Sequence, residues 1–392
     1  MLGITKLLCE SENFGDRLRY ASGAGSEKSG AAKGKGPVVV WNCTNSCNLK
    51  CRHCYADSQN KKFEEELDSK EAKYLIEDLA ELKVPVLLIS GGEPLMREDL
   101  FELLNYAKNY NIRSTISTNG TLIDKRTAKD LKLNGVSYVG ISLDGIGTNH
   151  DKFRGVIGSF NKSLEGIRNC VEIGQKVGLR FTINKSNYHQ LEDIFYLIKE
   201  EKIPRVCFYH LAYSGRGNAM AREDITFEQK RQALDIIMDR AVRFGKDVEI
   251  LTVGNHADAV YLYLQVKKKY PHLRDRIWDL IQTNGGNRSG MALANIDFKG
   301  HVHADQFTQQ HSFGNIRERK FSDIWKNPSN PLAVGLRNRK SLLKGRCSSC
   351  KWLNVCNGNL RVRAEAATGD FWNSDPSCYL TDKEIGIFNI VK

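Results

Sequence analysis

The chain predicts an α/β fold built on a parallel sheet and followed by a turn-rich second domain. Three observations carry this. From Pro37 onward, short β-type runs alternate with longer stretches of helical periodicity, the pattern of βα units. After about residue 240 the alternation weakens, and the last hundred residues are rich in short turns and cysteines. Finally, 392 residues with 41% hydrophobic content are enough to build real cores, in two or three domains.

Taken in order, residues 1–36 form an N-terminal extension whose second half, "ASGAGSEKSGAAKGKG", is too poor in apolar side chains to offset the entropy of ordering and is expected to be flexible. The expected strands follow in the runs "VVVWN", "VPVLLIS", "RSTIST", "YVGISLD", "LRFTIN" and "RVCFYHL", with "DVEILTV" the weakest. Between them, "DSKEAKYLIEDLAELK", "REDLFELLNYAKNY" and "SFNKSLEGIRNCVEIGQK" carry apolar residues at helical spacing behind polar or acidic starts, as sheet-covering helices do. Six or so such units, over 37–240, form either a complete or partial barrel or an open doubly wound sheet; in each case the site belongs to the loops at the C-terminal ends of the strands. A helical connection, 241–290, leads to the second domain, 291–392.

Composition narrows the function. No stretch approaches the roughly 18 to 20 apolar residues of a membrane span, and the first residues lack a secretory layout, so a cytoplasmic protein is expected. Clustered thiols in a long chain of this kind point to metal or redox chemistry rather than to disulfides. The formal charge of +12 favours acidic partners, but no tight basic run with interleaved aromatics argues for nucleic acid.

The loop after the first strand, "WNCTNSCNLKCRHCYAD", places Cys47, Cys51 and Cys54 in a C-x3-C-x2-C triplet. Three thiolates can hold an iron–sulfur cluster and leave one iron open; with Cys43 or His53 as a fourth ligand they could instead close a zinc knuckle. Spacing alone leaves the two even. After the second strand, "LLISGGEPLMRED" puts Gly91, Gly92, Glu93 and Pro94 where a ligand can approach backbone and a carboxylate can receive an ammonium group.

The triplet and the GGEP loop together resemble the radical S-adenosylmethionine (SAM) superfamily, over roughly residues 37–220. The resemblance implies a partial (β/α)6 barrel. It also implies that Cys47, Cys51 and Cys54 bind a 4Fe–4S cluster whose fourth iron is chelated by the amine and carboxylate of SAM, and that one electron from a donor such as a flavodoxin or ferredoxin yields a 5′-deoxyadenosyl radical. Gly91, Gly92 and Glu93 would hold the methionyl amine. Ser142 and Arg154, in "GISLDGIGTNHDKFRG", would approach the ribose and carboxylate, and His53 stands where relatives pack an aromatic beside adenine. Ser117, Asn119 and Asp144, at the ends of adjacent strands, are weaker candidates, for which an ordinary turn is the competing reading.

Near the C-terminus Cys347, Cys350, Cys356 and Cys378 form C-x2-C-x5-C plus a distal cysteine, enough for a closed cluster or a structural zinc. The stretch resembles the SPASM extension of radical SAM enzymes, which implies an auxiliary 4Fe–4S cluster. Two positions that carry cysteine in two-cluster members are Leu360 and Asp305 here, so one auxiliary cluster is expected. Asp305 is left as a turn former, a cluster neighbour or a substrate contact. Cys170 and Cys207 are assigned to core packing.

The N-terminal segment, the cysteine block and "GHVHADQF" resemble the tetrapyrrole-modifying branch. That implies an acidic iron tetrapyrrole as substrate, with loss of acetates from 12,18-didecarboxysiroheme in haem formation or of propionates in haem d1 assembly. A peptide-modifying SPASM enzyme and a non-enzymatic zinc module are the competing classes. His210, His256, His301 and His303 are unranked candidates for substrate contact.

Overall fold

The computed structural model describes residues 1–20 and 28–387. Ten strands form one sheet: β1 (Leu2–Gly3), β2 (Val38–Thr44), β3 (Leu87–Gly91), β4 (Ser114–Thr118), β5 (Val139–Ser142), β6 (Val177–Ile183), β7 (Arg205–His210), β8 (Glu249–Val253), β9 (Leu293–Ile296) and β10 (Val302–His303). Their order is β1-β8-β7-β6-β5-β4-β3-β2-β9-β10. From β2 to β8 every neighbouring pair is parallel. The edges β1 and β10 pair antiparallel with β8 and β9, and the sheet stays open as a partial barrel. The weakest expected strand, "DVEILTV", is β8 and adds a seventh unit to the six.

Alternation along the strands separates two environments. Ile89, Ile116, Ile141, Leu179, Phe181, Val206 and Phe208 are fully buried in the main core, against the apolar faces of the outer helices. Each such side chain contributes about 1.5–3 kcal/mol by leaving water. The intervening residues, Ser90, Ser117, Ser142, Arg180, Thr182 and Tyr209, face a cavity inside the barrel. The helix Ser69–Glu81 shows how the outer layer is fixed. Asp68 caps Lys70 and Glu71, Glu71 caps Asp68 in return, and Ala72, Leu75, Ile76 and Leu79 form its buried stripe.

The second domain is stitched to the barrel. β9 lies parallel to β2 with Val38 opposite Leu293, and the Asn295 amide donates to Val40 O (2.9 Å) and Asn42 Oδ1 (3.0 Å). Arg363, fully buried and paired with Asp375 at 2.7 Å, donates to Leu211 O and Gly254 O at the ends of β7 and β8. Of the Gly-rich segment expected to be flexible, residues 21–27 lie outside the described residues. Residues 28–36 make specific bonds: Trp325 Nε1 donates to Ser29 O (2.8 Å), Arg288 to Gly30 O (3.0 Å), and buried Ala31 donates its N–H to Gly36 O.

Candidate active site

The triplet and the GGEP loop form a backbone seam. Gly92 N donates to Thr44 O and Glu93 N to Ser46 O, both at 2.8 Å. A Cβ on Gly92 would stand 2.1 Å from Ser46 O, and one on Gly91, whose φ is +142°, 2.3 Å from Thr44 O. The glycine pair is therefore needed for loop-to-loop contact, whatever it does for a ligand. The Glu93 carboxylate is 0% exposed and turned inward, accepting from Thr118 Oγ1 (2.7 Å), Asn119 N (2.7 Å) and Leu95 N (3.2 Å). Asn119 in turn donates its amide to Asn48 Oδ1 (2.8 Å) in the cysteine loop. These residues brace the loop; none of them borders the barrel cavity.

Cys47, Cys51 and Cys54 cluster together, apart from the main core. Burial pushes the Cys47 thiol up to about 12 and the Cys51 thiol above its ordinary range, with neighbouring thiols adding to both. Such a set ionises when a cation joins it, as metal binding requires. The extra zinc ligands considered from sequence are directed elsewhere. Cys43 packs in the main core, and His53 stacks on Phe153 (4.6 Å) with Nε2 3.7 Å from Asp144. A three-thiol cradle for a cluster fits what is present.

The cavity inside the barrel spans about 690 Å³ including its open mouth. It gathers His53, Ser117, Ser142 and Arg154 from the expected set, together with His210 of the four unranked histidines, and adds Tyr55, Ser90, Arg180, Thr182, Tyr209, Gln306 and Phe307, which sequence reasoning did not single out. Arg154 pairs with Asp144 and donates to Cys51 Sγ at 3.4 Å, linking the thiol cradle to the cavity. Burial opposes ionisation of Asp144, but Arg154, His53 and the Thr182 N–H hold its carboxyl below the usual range. Burial also lowers His53 to about 4. Arg180 donates to Ser117 Oγ (2.8 Å) and occupies space that a Cβ on Gly140 would fill, 2.2 Å from its Nε. A roomier surface hollow beside Asp279, Arg337 and Lys340 borders none of the cysteines.

In the second domain Cys347, Cys350, Cys356 and Cys378 line one hollow of about 460 Å³ including its open mouth. Burial, then the other three thiols, raises Cys356 well above its ordinary value. Among the described residues no three His, Cys, Asp or Glu side chains crowd round a single-ion site, and the four thiols border a space between them instead, which fits a cluster. Leu360 is buried in place of a further thiol. Asp305 is a turn former: its Oδ1 accepts from Phe307 N (2.9 Å) and Thr308 N (3.1 Å), which places Gln306 and Phe307 on the barrel cavity. Of the four histidines, only His210 borders that cavity. His303 bonds to Asp297 and His311 O, His301 lies beside Ser312, and His256 donates its backbone N–H to Asn359.

Comparison with known proteins agrees with this geometry. Residues 41–198 match the Radical SAM superfamily and residues 290–351 an iron-sulfur cluster-binding domain, SPASM. The chain is 52% identical to Fe-coproporphyrin III synthase of Methanosarcina barkeri, over 99% of this chain and 100% of that one. It is 43% identical to pre-heme d1 synthase of Dinoroseobacter shibae, over 89% and 88%. Among solved structures, Streptococcus suis SuiB bound to precursor peptide SuiA superposes with a TM-score of 0.70 at 20% identity, covering 88% of this chain and 76% of that one, and anSMEcpe with bound AdoMet with 0.68 at 19%, covering 89% and 92%. These last two show the fold. With the thiol cradle, the GGEP seam and the four-thiol cavity in place, the chain belongs to the radical SAM superfamily with a SPASM domain, in the branch of these two tetrapyrrole synthases.

Proposed function

We propose that this chain removes the two acetate side chains of 12,18-didecarboxysiroheme to give Fe-coproporphyrin III. The observation that carries the reading is the 52% identity to the Fe-coproporphyrin III synthase across essentially both whole chains, against 43% over a shorter span to the pre-heme d1 synthase. On this reading residues 37–240 are the catalytic unit, 241–290 the helical connection and 291–392 the auxiliary-cluster unit of a cytoplasmic enzyme served by a flavodoxin or ferredoxin.

When bound, the first cluster and SAM supply one-electron cleavage of the sulfonium and hydrogen abstraction. Cys47, Cys51 and Cys54 would hold that cluster and Cys347, Cys350, Cys356 and Cys378 the auxiliary one. The backbone of Gly91, Gly92 and Glu93 would meet the methionyl amine, with the Glu93 side chain, Asn119 and Asn48 fixing the loop. Arg154 and Ser142 would meet the carboxylate and ribose and His53 the adenine edge, all three lining the cavity, and Ser117 holds Arg180. Tyr55 and Phe307, edge to face at 5.4 Å, line the cavity wall and give it an apolar rim.

Anaerobic incubation with 12,18-didecarboxysiroheme, SAM and a reductant tests the proposal by mass spectrometry. Loss of two acetates is expected. The 43% relative favours a second reading, haem d1 formation, and recovery of a propionate-cleaved product would establish it in place of the first.

A further inference from the structure

On the β7 side, the cavity wall consists of Tyr209 and His210 together with Gln306 and Phe307 of the second domain. Polar groups there stand without protein partners: Gln306 Oε1 and Arg180 Nε are buried and unbonded, and only Nε2 of His210 is engaged. That Nε2 lies 3.0 Å from Asp258 Oδ2, and the other oxygen of Asp258 accepts from Tyr379 Oη at 2.7 Å. Asp258 and Tyr379 are buried, and Tyr379 follows Cys378 of the four-thiol cavity directly in the chain.

We propose that His210 receives a side-chain carboxylate of the substrate, with Asp258 and Tyr379 as positioning residues; this rests on the tetrapyrrole reading. Both oxygens of Asp258 are committed, so the ring cannot turn without breaking a buried charge-assisted bond. With Nε2–H given to Asp258, Nδ1 is the nitrogen left for a ligand. A substrate carboxylate is held at Nδ1 through one proton taken up from solvent on binding, with Asp258 fixed on the opposite nitrogen. Tyr55, Tyr209 and Phe307 line the same cavity and offer aromatic faces and edges to a planar ring system. The auxiliary-cluster segment therefore shapes the substrate wall through Tyr379.

Anaerobic titration of the holoenzyme with Fe-coproporphyrin III and with its tetramethyl ester, followed by absorbance, tests this. The unmodified protein is expected to favour the acid by about tenfold or more, and His210→Ala to lose about 10–100-fold in affinity for the acid while binding the ester within about twofold of the unmodified protein. His210→Gln, which keeps a donor, is expected to recover part of the loss, and Asp258→Asn and Tyr379→Phe to lose about 3–10-fold in affinity for the acid with the ester unaffected. Equal binding of acid and ester by the unmodified protein overturns the inference. So does a His210→Ala protein that binds the acid normally, or one that loses acid and ester alike without rescue by His210→Gln. Selective binding of the acid without acetate removal would count against the proposed function and leave His210 in its role; acetate removal with unaltered binding by His210→Ala would do the reverse.

Discussion

Gly92→Ala isolates the seam between the GGEP and cysteine loops. The φ of Gly92 lies outside the left-handed range, so alanine meets no backbone penalty there and the cost is steric. Its Cβ would stand 2.1 Å from Ser46 O, with Ser46 C at 2.7 Å and Asn45 C at 3.0 Å; all are backbone atoms that no rotamer change can move. Restoring an ordinary contact parts the loops by about 1 Å or more. The bonds Gly92 N to Thr44 O and Glu93 N to Ser46 O, now 2.8 Å, would pass beyond hydrogen-bond range. Two backbone bonds at about 0.5–1.5 kcal/mol each, plus overpacking of about 1–3 kcal/mol, put the loss of stability at about 2–5 kcal/mol. A displacement of that size at a reacting centre costs about 100-fold in rate. Urea unfolding, iron per chain after reconstitution and 5′-deoxyadenosine formation measure the three effects. A Gly92→Ala protein with full iron and a normal rate of SAM cleavage would refute the seam argument.

Replacing Cys47, Cys51 and Cys54 together by Ala should abolish reductive SAM cleavage yet leave about half the iron, whereas removing any one of Cys347, Cys350, Cys356 or Cys378 should lose about the other half; zinc at the second site in native protein would contradict this. Asp375→Asn strips the partner from fully buried Arg363 and should cost about 3–5 kcal/mol in chemical unfolding; a loss under about 1 kcal/mol would show that the pair is not a strut between the domains. His150 is buried, accepts from Asp144 N (3.1 Å) and is lowered by burial to about 4. Because its folded value lies below the unfolded one of 6.5, its contribution is full above pH 6.5 and is lost as pH falls toward about 4, at most about 3 kcal/mol. His150→Asn should flatten the stability–pH slope in that window by about one proton, and an unchanged slope would count against it.

The parallel units were legible because each strand is an apolar run bounded by turn residues and each helix shows a stripe at its own period. The cysteine sets were legible because their members lie close in sequence. What the strands hold on their inner side was harder to see. In "LRFTI" the alternation that sends Leu179, Phe181 and Ile183 outward sends Arg180 and Thr182 into the barrel, and reading period two rather than an apolar run would have found both. The two closest-bonded partners of Glu93 lie 25 and 26 residues away, so an inward carboxylate looks in sequence like a ligand-facing one. The brace on His210 joins residues 48 and 121 positions apart, separations over which local patterns carry no information. Asp305 was the reverse case, since bonding to residues two and three positions on is the ordinary behaviour of a turn aspartate.

The placement of β9 against β2 has a consequence for what can be cut away. β2 carries the first cysteine loop at its C-terminal end, and its free edge is covered by a strand that arrives some 250 residues later, held by Val38↔Leu293 through Trp41↔Ile296 and by the Asn295 amide. A chain ending before Leu293 would expose that edge, a row of open N–H and C=O groups flanked by Val39, Val40 and Trp41, and would invite pairing between molecules. The apparent module boundary is therefore no place to divide the protein: the barrel's catalytic edge is finished only when the last part of the chain has been made.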